Sequence, residues 1–226
     1  MGGLRPAVLA ILILALPPFQ QPAAAKTTCP KDNGTTDLSV SQIIGDVTYK
    51  TGNTRSDLKR IQQRHGAAAT ASGWFPLGLT LSELRIEMRI STRAYPTGRG
   101  RYCAVPDRVS INLGYPQFTI YIDRRYRRGS CEYRAISEHE ELHVAIYRQQ
   151  LDRLISWVRG RMAREISRLA PVIAVSPRYG AEKIKRRLSL KLAPLIKRLQ
   201  RATAVGNRGI DTRASYVRVQ SRCRNW

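Results

Sequence analysis

The chain has 226 residues, 39 Lys and Arg against 16 Asp and Glu, and a formal net charge of +23. That length fits one domain, or one domain with a helical appendage. The field of that charge draws anionic partners and is screened by salt.

Met1 to Arg5 is a short basic lead, followed by an unbroken apolar run from Ala7 to Leu16. That run is too short to span a bilayer. Pro17 and Pro18 break any helix, and Ala23-Ala24-Ala25 supplies the small residues of a cleavage site. Residues 1–25 are therefore expected to be a secretory signal peptide, leaving no transmembrane helix after cleavage and a periplasmic or secreted mature chain. Cys29, Cys103, Cys131 and Cys223 all follow that point. An even number in an oxidising compartment argues for two disulfides. Four cysteines allow three pairings. The one expected is Cys103–Cys131, tying a strand to the start of a helix, with Cys29–Cys223 tying the ends.

Leu38 to Tyr49 has β-branched residues in partial alternation and predicts one or two strands. Gly52-Asn53-Thr54 is a turn, and Asn53 or Thr54 can cap a helix over about residues 55–65. Ala67 to Gly78 has the chemistry of a loop. Leu84, Ile86, Met88 and Ile90 then alternate with polar residues. So do Val109, Ile111 and Leu113, and again Phe118, Ile120 and Ile122. Three such strands with Pro96–Gly100 and Gly114–Pro116 as turns suggest an antiparallel meander.

Ser130 is a candidate N-cap for a helix that runs without a breaker to about Ala170. Ile136, Tyr147, Leu151, Leu154, Val158 and Met162 form its apolar stripe. Beside that stripe lies His139-Glu140-Glu141-Leu142-His143, which reads H-E-x-x-H and uses two of the three histidines of the chain. Positions i and i+4 share a helix face, so both imidazoles can bind one Zn²⁺. Glu140 is then within reach of the attacking water as general base. Tyr147, one turn on, is a candidate oxyanion donor.

A catalytic zinc takes a third protein ligand, and the motif does not supply it. Gln149 stands where a metzincin would need its third histidine. Glu165 lies on the same continuous helix, about 33 Å beyond His143 at 1.5 Å per residue, which no single ion spans. His65 is the remaining histidine and the first candidate. Asp123 ends the preceding strand, and Asp107, Asp152, Glu182 and Asp211 are further carboxylates without a spacing argument.

Residues 171–226 form a basic amphipathic extension. Ile184, Leu188, Leu192, Leu195 and Leu199 are in helical register, with Pro194 expected to kink the helix or start a new one. From Pro177 onward, 14 Lys and Arg face only Glu182 and Asp211. The expected architecture is thus α+β: a meander packed on a long motif helix over residues 26–170, with a basic tail.

Two segments carry a resemblance. Tyr49-Lys50-Thr51-Gly52-Asn53-Thr54 leads to Asp57-Leu58. Ser130-Cys131-Glu132-Tyr133-Arg134-Ala135-Ile136 precedes the motif and Val144. Over Leu38 to Leu169 the chain resembles the bacterial families of predicted secreted zinc-dependent proteases of unknown function. The resemblance implies a zincin-like α+β domain of the cell envelope, and it does not extend past Pro177. The leading expectation is a zinc hydrolase acting on a peptide or a cell-wall amide. The alternative is a non-catalytic protein that binds an anionic envelope surface through its charge, with a structural or degenerate motif. Nucleic acid is not an expected partner, because no stacking series or binding motif accompanies the charge.

Overall fold

The computed structural model describes residues 29–65 and 76–226. The expected signal segment, residues 1–25, lies outside the described residues, as does most of the Ala67–Gly78 loop. The elements in order are β1 (Asp37–Ile44), β2 (Val47–Asn53), α1 (Arg55–Arg64), β3 (Gly78–Ser82), β4 (Arg85–Pro96), β5 (Tyr102–Tyr115) and β6 (Phe118–Asp123). Then come α2 (Cys131–Ser167), β7 (Val172–Ala174), α3 (Pro177–Ile210) and α4 (Arg213–Gln220). The class is α+β, with the long motif helix on the sheets.

The strands pair differently from a simple meander. β4 and β5 form the expected antiparallel pair. β6 does not fold back on β5. It continues β5's direction after Pro116-Gln117 and pairs with β2 in parallel and β3 antiparallel. β1 pairs with β5 in parallel. The result is three long strands, β1–β2, β5–β6 and β3–β4, each creased once. The ladder crosses the crease: Gly45 N–H donates to Tyr115 O at 2.8 Å, and Phe118 N–H to Asp46 O at 3.0 Å. A side chain at Gly45 would collide with the Pro116 carbonyl, so the crease requires glycine there. The Gly114–Pro116 stretch thus bends a strand where its composition suggested a reversal.

That difference also decides the disulfides. Cys103 begins β5, and α2 follows β6, so collinear strands put Cys103 and Cys131 at opposite ends of the sheet. The expected pairing is corrected: Cys29 bonds Cys103, and Cys131 bonds Cys223, with Cα separations of 5.6 and 5.8 Å. Disulfides persist in oxidising compartments, so this chain belongs outside a reducing cytosol. Among the described residues no helix is long and apolar enough to cross a membrane.

α1 is capped as its sequence predicts, with Thr54 and Asp57 forming a reciprocal capping box. α2 packs on β1, β3 and β6. α3 packs on α2 and on β4, β5 and β7, so the segment read as a basic tail closes the same core. Ile184, Leu188, Leu192 and Leu199 of α3 are buried with Leu151, Val158 and Met162 of α2. This packing carries α3 through Pro194 as a single element, although proline removes a helical hydrogen bond.

Two measurements test this packing. Leu188→Ala should destabilise the protein by about 2–5 kcal/mol in denaturant unfolding, whereas a loosely attached helix would lose well under 1 kcal/mol. The second concerns Asp32, which accepts from Arg93 Nη2 at 2.8 Å and from Tyr95 at 3.0 Å. Arg93 is the main cause holding its carboxyl down from 3.8 to about 2. A depressed folded-state pKa contributes stability above the unfolded value, and that contribution is lost as pH falls from 3.8 to about 2. Asp32→Asn should flatten the acid limb of stability in that window, and an unchanged acid limb would contradict the network.

Candidate metal centre

Ser130 caps α2 by accepting from Tyr133 N–H at 3.0 Å. The inward stripe then fixes the helix rotation, with Ile136 and Val144 buried. This rotation carries His139, Glu140 and His143 under cover as well: all three are buried, in contrast to exposed Leu142 between them. Their ligand atoms lie within 4.8 Å of one another.

The residue that joins the two imidazoles comes from the far end of α3. Asp211 is the C-cap of that helix, and its Oδ1 lies 3.2 Å from His139 Nε2 and 3.2 Å from His143 Nε2. A tetrahedral zinc shell with bonds of 2.0–2.2 Å requires donors about 3.3–3.5 Å apart. The donors therefore fit the ion by type, and the two spacings from Asp211 Oδ1 to the imidazoles lie close to that value. Two neutral imidazoles and one carboxylate are also a ligand set that zinc takes in hydrolases.

The surrounding residues set the protonation of this group. Asn207 Oδ1 faces His143 Nδ1 at 3.1 Å. An amide oxygen accepts only, so Nδ1–H donates to it, while Nε2–H donates to Asp211 Oδ1 and is the nitrogen that would face an ion once it gave up its proton. Tyr216 O–H donates to Asp211 Oδ1 at 3.0 Å, and its ring centroid is 5.5 Å from that of His139. Burial alone would push the His143 pKa down, but Asp211, Glu140 and Asn207 outweigh it and lift it to about 9. Burial would likewise raise Asp211, yet hydrogen bonds from both histidines hold it well below the usual carboxylate range.

Glu140 lies against β3. Its Oε2 and its backbone carbonyl are 2.8 and 3.0 Å from the Thr80 hydroxyl, which can donate to either. Any side chain at Gly78 would strike Oε1 at 2.6 Å, so the strand passes this carboxylate only as glycine. Burial drives the Glu140 pKa upward, opposed by the two histidines and Thr80, and the net shift is up.

The remaining candidates fall elsewhere. His65 caps the end of α1, is exposed and faces Glu83 at 4.0 Å. Asp123 is buried but bound to Arg125, and Glu165 pairs with Arg161 and Lys191. Tyr147 stands behind the site: its ring packs edge-on against Tyr115 at 4.9 Å, and its oxygen bonds Asn207. It supports the residue that orients His143, while Tyr216 is the phenol on the Asp211 side. Thr80, Asn207 and Tyr216 were not singled out by the sequence, and Asp211 only without a reason. One signal was available: Asn207 and Asp211 are one helical turn apart, and Asp211 is the last acid in a strongly basic segment.

Comparison with known proteins returns no match: no protein-family model, curated protein or solved structure corresponds to this chain.

Partners that orient a metal-binding histidine typically contribute 10–100-fold in affinity. Asn207→Ala should therefore weaken zinc binding by about 10–100-fold in chelator competition, with unfolding little changed. Unchanged affinity would show that Asn207 does not set the His143 tautomer.

Proposed function

We propose that this chain is a zinc-dependent hydrolase of the periplasm or extracellular space, a metallopeptidase acting on peptide or cell-wall amide bonds. The observation that carries the reading is the position of Asp211 Oδ1, 3.2 Å from both Nε2 atoms, beside buried Glu140. It supplies the third donor that the H-E-x-x-H motif lacks.

His139, His143 and Asp211 would hold the ion. Zinc supplies Lewis acidity, lowering the pKa of water and polarising a carbonyl. Glu140 is the base. Its elevated pKa suits a carboxylate that takes a proton from the attacking water and delivers it to the leaving amine. Thr80 can hold the Glu140 carboxylate in place through Oε2. Tyr216, beside Asp211, is a candidate donor for the negative oxygen of the tetrahedral species, and burial and Asp211 keep its phenol protonated.

A second reading has its own observation. The outer ridge of α3 exposes Arg186, Lys197, Arg201 and Arg208 in one row along the helix with Leu190, which is 66% exposed. Cations flanking exposed apolar side chains suit an anionic envelope surface. Binding of this kind would anchor the enzyme or, without catalysis, be its whole role. Salt-dependent retention on anionic vesicles by the His139→Ala/His143→Ala variant would demonstrate it.

For the enzyme, Glu140→Gln should lower hydrolysis by about 10²–10⁴-fold while zinc content stays stoichiometric. Full activity in that variant would contradict the mechanism.

A further inference from the structure

The residues that complete the metal site all come from the last 20 residues of the chain. Asn207 is in the final turn of α3, Asp211 caps it, and Tyr216 is on α4. A helix C-terminus is the part most prone to fraying, and this one must hold a carboxylate within a few tenths of an ångström. The segment that follows has little apolar anchorage. α4 buries only Ser215, and Val217 is 52% exposed. Segments with so few buried contacts open readily unless something else holds them.

What holds this one is a covalent bond, an ion pair and a ring contact, gathered at the start of the motif helix. Cys223 is bonded to Cys131, the first residue of α2, across 92 residues of sequence. Arg222 pairs with Glu138 at 2.6 Å, immediately before His139. Trp226 lies edge-on to Tyr126, with ring centroids 5.8 Å apart. Both ends of the zinc site are thereby fixed to each other: the histidines on α2, and the carboxylate on the arm stapled to α2's first turn.

We propose that the Cys131–Cys223 disulfide is the latch that completes the metal site, so that full zinc affinity is acquired only on oxidation. Cys131 and Cys223 are positioning residues that act through Asp211. The inference rests on the zinc reading above. Closing the latch is thiol–disulfide exchange: the thiolate of one cysteine attacks an oxidant's disulfide, and the second displaces that oxidant from the mixed disulfide. One S–S bond forms in the chain, and the oxidant leaves as a dithiol carrying both electrons and both protons. A chain still in a reducing compartment would hold two histidines and a mobile carboxylate. It would bind zinc weakly before export and firmly after it. The Cys29–Cys103 bond, at the other end of β5, has no such part.

The test is zinc affinity by chelator competition on the oxidised full chain. The Cys131→Ala/Cys223→Ala variant should bind zinc about 10–100-fold more weakly, and Cys29→Ala/Cys103→Ala should match the wild type. In an Asp211→Ala background, removing the latch should cost nothing further. Such non-additivity identifies an effect transmitted through Asp211. Insertion of three glycines between Gln220 and Ser221 keeps the disulfide but slackens the arm, and should also weaken binding if the cysteine variant fails to fold. Wild-type affinity in the latch variants would overturn the inference, because α3 alone would then position Asp211. An equal loss with and without Asp211 would overturn it too, as general loosening. Failure of the wild type itself to bind zinc would instead remove the zinc reading on which it rests.

Discussion

The Asp211 carboxylate between two buried imidazoles is the interaction on which the rest of the architecture depends. Burying His139, His143 and Glu140 on the inward side of a helix is costly unless each has a partner. Asp211 partners both histidines, Asn207 satisfies the rear nitrogen of His143, and Thr80 hydrogen-bonds Glu140. Without Asp211, two imidazoles and one carboxylate would share a largely dehydrated space with no group to join them. On the proposed zinc reading, a divalent ion would take the three converging donors as ligands and leave Glu140 to act as the base.

Assembling this group requires three parts of the chain to meet. α2 brings the motif, β3 brings Thr80 and the gap at Gly78, and α3 brings Asn207 and Asp211. The creased sheet makes the meeting possible. Because β5 and β6 are collinear, β3 and β4 can run along them on one side, with β3 reaching α2 at the motif and β4 reaching α3. The apolar face of α3 is in turn committed to the core through Ile184, Leu188, Leu192 and Leu199. Its last turn therefore arrives beside α2, with Gly206 against Ile146.

What was legible in the sequence is what is local. The spacing of His139 and His143, the cap at Ser130, the capping box at Thr54 and the alternation of β4, β5 and β6 lie within one or two turns or one strand. Local stereochemistry fixes these features. Strand pairing was less legible, because Gly114–Pro116 has the composition of a turn and acts as a bend. The disulfides followed from that topology and so were misassigned. Asp211 was the least legible, 68 residues beyond His143. Nothing in its neighbourhood reports where a 34-residue helix will end relative to another. Its proximity depends on how leucines on α3 seat against α2 and the sheet, and on an arm tied back to α2 through Cys131 and Cys223.

The proposed centre requires His139, His143 and Asp211 together to hold a zinc ion. X-ray absorption spectroscopy of the zinc-loaded full chain, with Asp211→Ala alongside, tests it most directly. The expected result is a four-coordinate first shell with two imidazoles and oxygen donors, and a lower zinc occupancy with altered oxygen scattering when Asp211 is removed. No zinc retained by the wild type would contradict it, as would a shell that is the same with and without the Asp211 carboxylate.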